Sequence, residues 1–158
     1  MLNLVNQPIA APNLALPPVL IQVDRLKLAK RLWRGVADDG MEFGFELEIP
    51  LKPEQTVFET SEARYVIGQM PEDLLEISLD VPASAAAGIG WAVGNLHLDL
   101  SSEPSRLLTP DDRAARQLLD RIGIPYRPTR AVFRPGRFTR GERPSAASAQ
   151  ELGPSHQH

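Results

Sequence analysis

Apolar and polar side chains alternate along residues 41–49, where Met, Phe, Phe, Leu and Ile are separated by Glu, Gly, Glu and Glu. A period of two is typical of a β-strand with one buried face and one face in water. An Asp-Asp-Gly sequence at 38–40 precedes this run and predicts a hairpin with the apolar segment Leu32–Val36. Two further short runs, Thr56–Glu59 and Arg64–Gln69, also have the composition of strands.

The first 23 residues are apolar, but their pattern does not predict a signal peptide or a membrane-spanning helix. They have no basic N-terminal region, asparagines interrupt them, and prolines that would break a helix stand at Pro8, Pro12, Pro17 and Pro18. We therefore expect an extended, partly disordered arm over 1–18, a strand over 19–23, and a cytoplasmic protein. Together these elements predict a β-rich first domain over residues 1–70.

After Pro71 the pattern changes to β-α-β-β-α-β, which predicts a ferredoxin-like α+β domain over residues 71–138. The predicted strands are 74–79, 97–100, 106–108 and 130–133, and the first predicted helix is the small-residue segment 83–94. In the second helix Thr109 is the predicted N-cap, Pro110 the first helical residue, Asp112 the partner in a capping-box-like pair, and Gly123 the stop. Its apolar stripe consists of Ala115, Leu118, Leu119 and Ile122.

Composition narrows the possible functions of the 158-residue chain. It has no cysteine, which excludes disulfides, thiolate metal sites and cysteine nucleophiles, and its formal net charge of −3 excludes binding of polyanions by overall charge. Arginines recur every three or four residues from Arg127 to Arg143. Only Tyr126, Phe133 and Phe138 accompany these arginines, and no RNP-like strand motif occurs, so we expect no nucleic-acid partner. An acidic protein partner or a solvated edge accounts better for this charge.

The three histidines are the main candidates for chemistry. His97 follows the first predicted helix of the second domain, where a buried structural histidine is an equally good interpretation. His156 and His158 lie in residues 139–158, a segment poor in large apolar side chains that we expect to be a flexible tail. Their H-x-H spacing suits Ni²⁺, Cu²⁺ or Zn²⁺. One fixed histidine cannot hold such an ion alone, but a symmetric dimer would bring two copies of His97 together.

Enzymatic patterns are weak. His97 and Asp99 would face the same way on a strand, yet no serine is placed as a nucleophile. The glycines at 88, 90 and 94 lie inside the predicted helix and do not open it, unlike a dinucleotide-binding fingerprint. We therefore expect a non-enzymatic protein, with His97 as a general base as the enzymatic alternative.

Residues 94–97 (Gly-Asn-Leu-His) resemble the Gly-Asn-Arg-His-x-Pro signature that the UreE urease accessory proteins carry after the first helix of a ferredoxin-like domain. The Asp-Gly hairpin within 34–45 is similar to a hairpin of that family. The Phe-Arg-Pro sequence at 133–135 is similar to its terminal Phe-x-Pro element. The resemblance covers about residues 24–138 and extends to the histidine-bearing tail.

This resemblance implies a homodimeric nickel metallochaperone with a peptide-binding-like first domain. His97 from each subunit would share one Ni²⁺, with Zn²⁺ or Cu²⁺ as substitutes in vitro, and His156 and His158 would add ligands or hand the ion over. The implied partners are the urease accessory GTPase and, through it, the urease apoprotein complex, with no membrane involved.

The chain departs from the family pattern at two positions. Leu96 replaces the arginine of the signature, which we expect to change interface polarity and not metal coordination. Asp99 stands where proline is common, so it supplies either an extra oxygen ligand or none. An alternative of the same fold is a protein-interaction module that uses no metal.

Overall fold

The computed structural model describes residues 2–136 of the chain, which form a mixed α+β protein. The predicted tail over 139–158, with His156 and His158, lies outside these residues. The described residues divide into two compact units. The first comprises residues 2–74 with Pro128–Phe133, and the second comprises Leu75–Arg127 with residues 134–136.

Residues 2–69 contain two three-stranded sheets and one short helix. One sheet has the order β1-β4-β3, with β1 at Leu2–Val5, β3 at Leu32–Val36 and β4 at Glu42–Glu46. The other has the order β2-β6-β5, with β2 at Pro18–Val23, β5 at Thr56–Glu59 and β6 at Arg64–Gln69. The helix α1 is Arg25–Leu28, and Asp24 caps it by accepting a hydrogen bond from the backbone N–H of Lys27.

The predicted hairpin between β3 and β4 is confirmed. The two strands pair antiparallel, and Gly40 in the turn has a φ of 89°, which glycine adopts without a steric penalty. Phe43 and Phe45 are buried as the alternation indicates, and Trp33 stacks on Phe45 with ring centroids 3.8 Å apart. The strand is shorter than the pattern suggests: it ends at Glu46, and Ile49 is exposed.

The N-terminal segment is more ordered than the sequence suggests. Leu2–Val5 forms a strand that pairs parallel with β4, and Val5 is buried opposite Phe45. Further along the segment, the backbone N–H of Ile9 donates to the carbonyl of Thr56. Because parallel pairing joins residues about forty positions apart, no local signal in the sequence indicated it.

Residues 72–131 contain four strands and two helices, which alternate in the order β7, α2, β8, β9, α3, β10. These elements are β7 (Glu72–Ser78), α2 (Ala83–Gly94), β8 (Ser101–Ser102), β9 (Arg106–Pro110), α3 (Arg113–Arg121) and β10 (Arg127–Ala131). The four strands form one sheet of order β10-β7-β9-β8. Apolar side chains of both helices and of β7 and β9 make a common core, including Leu75, Ile77, Ile89, Val93 and Leu119.

Three boundaries in this region differ from those that the sequence predicts. The N-cap of α3 is Asp112, whose carboxylate accepts from the N–H of Ala114, and not Thr109, which lies in β9. Residues 97–100 are not a strand. The last strand is Arg127–Ala131 instead of 130–133, because Phe133 is fully buried in the first unit, where its carbonyl accepts from Nε2 of Gln69.

Candidate functional site

The helix α2 has the bounds that the sequence predicts, and it carries no charged side chain. Pro82 precedes it and fixes φ for helix entry, and the alanines that follow favour the helical state. Ile89 and Val93 pack into the core, whereas Trp91 on another face is 72% exposed. The helix therefore presents an uncharged surface with one large aromatic side chain.

A tight turn follows α2 and ends at His97. The backbone N–H groups of Asn95, Leu96 and His97 donate to the carbonyls of Trp91, Val93 and Gly94 respectively, at 3.0 Å each. His97 has a φ of 57°, a left-handed conformation that few residues other than glycine adopt, although histidine is among those enriched there. The side chain of His97 is exposed. The imidazole of His97 is therefore open to solvent, while the backbone of this residue is held by the turn.

The residues on both sides of His97 are anchored in the core. Leu96, Leu98 and Leu100 pack against the core cluster of α2, α3, β7 and β9. A Leu100 methyl lies 4.0 Å from the position that a Cβ on Gly90 would occupy, so this leucine rests against α2. The hydroxyl of Thr109, a fully buried residue of β9, donates to the carbonyl of Asp99 at 2.9 Å.

The sequence suggested that His97 and Asp99 face the same way on a strand. In the structure neither residue lies in a strand. Exposure of His97 removes the interpretation of a buried structural histidine. Within residues 2–136 no three side chains of the types His, Asp and Glu are grouped so that they could hold a metal ion.

The sheet beneath the helices carries a network of ion pairs. Glu76 of β7 accepts from Arg106 of β9 at 2.8 Å and from Arg127 of β10 at 2.7 Å. The hydrogen bond from Arg106 and the positive charge of Arg127 hold the pKa of Glu76 below its ordinary value. At the start of α3, two hydrogen bonds from Arg116 lower the pKa of Asp111. These pairs join neighbouring elements and do not include His97.

Sequence reasoning missed two residues near the candidate site. Trp91 was absent from the prediction, although a tryptophan in an uncharged helix of small residues is a signal for a contact surface. Thr109 was predicted as a helix cap because the Thr-Pro pair is typical of one. In the structure Thr109 instead lies inside β9, which continues to Pro110, and the residue is fully buried.

Comparison with known proteins identifies related sequences of one family. A family model described as the C-terminal domain of the UreE urease accessory protein matches residues 72–158. A urease accessory protein UreE of Deinococcus radiodurans is 35% identical over 125 residues, which cover 77% of this chain and 76% of the relative. The UreE of Geobacillus kaustophilus is 31% identical over 72% of this chain and 78% of its own length. That of Bifidobacterium longum subsp. infantis is 27% identical over 77% of this chain and 53% of its own length.

These matches define the chain as an accessory protein of urease. Because the family model covers more than half of the 158 residues, the chain belongs to the UreE urease accessory protein family. That family name describes a role in urease maturation and not an enzyme. Among the described residues, none of the helices has the length and apolar character needed to cross a membrane.

Proposed function

We propose that the protein is a cytoplasmic nickel metallochaperone that works as a homodimer. Two copies of His97, one from each subunit, bind one Ni²⁺ at the dimer interface. The ion is delivered to the urease activation complex through the accessory GTPase. His156 and His158 add ligands or pass the ion to the partner.

The observation that carries this proposal is the position of His97. It occupies the histidine position of the family signature, its side chain is exposed, and its backbone is held by the end of α2. Little conformational entropy is lost when a ligand that is already positioned binds its ion. Neutral imidazole is a suitable ligand for Ni²⁺ as well as for Zn²⁺ and Cu²⁺.

The surface of α2 supports a dimer at this place. Trp91 precedes His97 by six residues and is 72% exposed, and helix α2 carries no charge that would be buried in an interface. Exposed tryptophans are among the residues that contribute most to protein interfaces. A two-fold axis near the end of α2 would pair the two histidines and cover both tryptophans.

The fold also supports the proposal. The element order β-α-β-β-α-β and the strand order β10-β7-β9-β8 are typical of a ferredoxin-like domain, which supports this proposal. We propose that residues 71–138 form such a domain, which dimerises and binds metal, and that residues 1–70 form a peptide-binding-like domain. Residues 139–158 carry the remaining two histidines, His156 and His158.

Nickel titration of the full chain by calorimetry, with the mass in solution measured by light scattering, tests this function. We expect one tightly bound ion per dimer. His97→Gly is the sharpest variant, because glycine keeps the left-handed turn while the imidazole is removed. It should abolish tight binding, whereas truncation after Gly153 should leave one ion per dimer bound several-fold more weakly.

Two results would contradict the proposal. Wild-type affinity in the His97→Gly variant would show that His97 is not a ligand. A wild-type protein that dimerises but binds no nickel would favour the alternative, a metal-independent interaction module, which the exposed Trp91 surface would also serve.

A further inference from the structure

We propose that Thr109 is a positioning residue for the metal site: its hydroxyl holds the segment after His97 and thereby fixes the direction of the imidazole. This inference rests on the proposed role of His97 as a nickel ligand. It assigns to a buried residue of β9 a function beyond core packing.

The contact that carries the inference joins two elements. Thr109 lies in β9, is fully buried, and donates its hydroxyl hydrogen to the carbonyl oxygen of Asp99 at 2.9 Å. Asp99 is two residues after His97, in a segment that belongs to neither a helix nor a strand. The hydroxyl therefore ties an irregular stretch of backbone to a strand of the sheet.

Burial makes this hydroxyl informative. Among the described residues, Thr109 and Thr56 are the buried polar ones. A valine of nearly the same shape would fill the space without burying a polar group, and a buried hydroxyl is tolerated when it makes a hydrogen bond. Leu107 and Leu108 beside it are apolar and buried, so the hydroxyl lies away from water. Its contribution is the hydrogen bond to Asp99.

The conformation of His97 explains why such a contact matters. Its φ of 57° is unfavourable for a residue with a Cβ, and a conformation of this kind persists only where the flanking structure enforces it. On one side, the end of α2 provides three backbone hydrogen bonds. On the other side, Leu98 and Leu100 pack against the core and Thr109 holds Asp99. Loss of the hydroxyl would allow the second anchor to shift.

The test compares nickel binding by three full-length variants with the wild type, using calorimetry. Thr109→Val removes the hydroxyl and should weaken binding by about tenfold, as removal of an outer-shell contact typically does, with the stoichiometry unchanged. Thr109→Ser keeps the hydroxyl and should bind as the wild type does. Thr56→Val removes the other buried threonine hydroxyl, which accepts from Arg64 at 3.3 Å in the first unit, and should leave nickel binding unchanged.

Hydrogen exchange separates this proposal from the proposed function. The amides of residues 97–100 should exchange faster in Thr109→Val than in the wild type, in the absence of metal and whether or not nickel binds. If His97→Gly binds nickel normally, the proposed function fails, and the exchange data still decide whether the Thr109 hydroxyl holds residues 97–100 in place.

Several outcomes would overturn the inference. They are wild-type affinity in Thr109→Val, equal losses in Thr109→Val and Thr56→Val, and unchanged exchange at 97–100. If the valine variant does not fold, the serine variant decides: a folded Thr109→Ser protein with tenfold weaker binding would show that the methyl group, and not the hydroxyl, matters.

Discussion

His97 combines two properties that conflict in an ordinary residue: it carries a side chain, and its backbone is left-handed with a φ of 57°. For a residue with a Cβ this conformation costs about 1–2 kcal/mol relative to the right-handed one. Glycine avoids that cost and is the usual residue at such a turn. The turn after α2 thus keeps a histidine where glycine would be more stable, which is expected where the imidazole has a function.

Substitutions at this position should separate stability from metal binding. His97→Gly should leave the free energy of unfolding unchanged or raise it by up to about 1 kcal/mol, because the relief of strain outweighs the extra backbone freedom of glycine. His97→Val should lower it by about 1 kcal/mol or more, because a β-branched side chain is a poor fit to this conformation. Urea unfolding measures both values, and equal stability of the two variants would argue against the left-handed turn in solution.

Helix α3 shows how a local cap is decided by the neighbouring strand. Thr109 and Asp112 both have side chains that cap helices, and the Thr-Pro pair favours the first of them. Extension of β9 to Pro110 places Thr109 inside the sheet, so the chain enters the helix at Asp112. The first free N–H groups of α3 then depend on this aspartate, which accepts from Ala114 at 2.7 Å.

The contribution of this cap is measurable. Asp112→Ala should lower the free energy of unfolding by about 1 kcal/mol, whereas Asp112→Asn, which keeps an acceptor at the same atom position, should change it by a few tenths. Chemical denaturation of both variants gives the comparison. Should the alanine variant be as stable as the asparagine variant, Asp112 would not be the effective cap.

Glu76 links three neighbouring strands through its pairs with Arg106 and Arg127, and this makes stability depend on pH. The pKa of Glu76 is lowered in the folded protein. At pH values between this lower pKa and the ordinary glutamate pKa of about 4.3, the unfolded chain therefore binds more protons than the folded chain. The stabilisation is therefore complete above pH 4.3 and is lost as the pH falls through the folded pKa.

Glu76→Gln should flatten this dependence. The wild type should lose more stability than the variant between pH 7 and pH 3, because the glutamine has no proton to gain. Glu48→Gln, which removes an exposed carboxylate in the first unit, is the matched control and should keep the wild-type slope. Urea unfolding at four pH values is sufficient, and parallel curves for wild type and Glu76→Gln would show that the pair does not survive in solution.

Across the whole molecule, the features that could be predicted from the sequence are those that neighbouring residues determine. The α2 bounds followed from Pro82 and the small-residue run, and the β3–β4 hairpin followed from alternation and the Asp-Asp-Gly turn. Contacts between distant segments were not predictable. One is the pairing of β1 with β4, and another is the contact between Arg25 and Phe133, in which the guanidinium Cζ lies 4.9 Å from the centroid of the phenylalanine ring.

The candidate site divides in the same way. Its histidine could be predicted because only three exist in the chain and one fits a family signature. The turn geometry could not, because the left-handed conformation of His97 arises from the anchoring of Leu98 and Asp99 by residues of other elements. A strand was predicted over residues 97–100, whereas the structure has a turn that ends at His97 and irregular backbone after it.

The last prediction concerns assembly. If α2 forms the dimer surface, Trp91 should behave as its main anchor, since it is 72% exposed on a helix without charge. Trp91→Ala should weaken the dimer by about 30-fold or more, the effect of losing an interface residue worth at least about 2 kcal/mol. Nickel binding should fall with it although His97 is intact, because one subunit cannot complete the site.

Leu32→Ser, a matched change at a 75% exposed residue of the first unit, should leave both dimerisation and nickel binding unchanged. Sedimentation equilibrium with and without nickel measures the association, and a Trp91→Ala protein that dimerises and binds nickel like the wild type would exclude α2 as the interface.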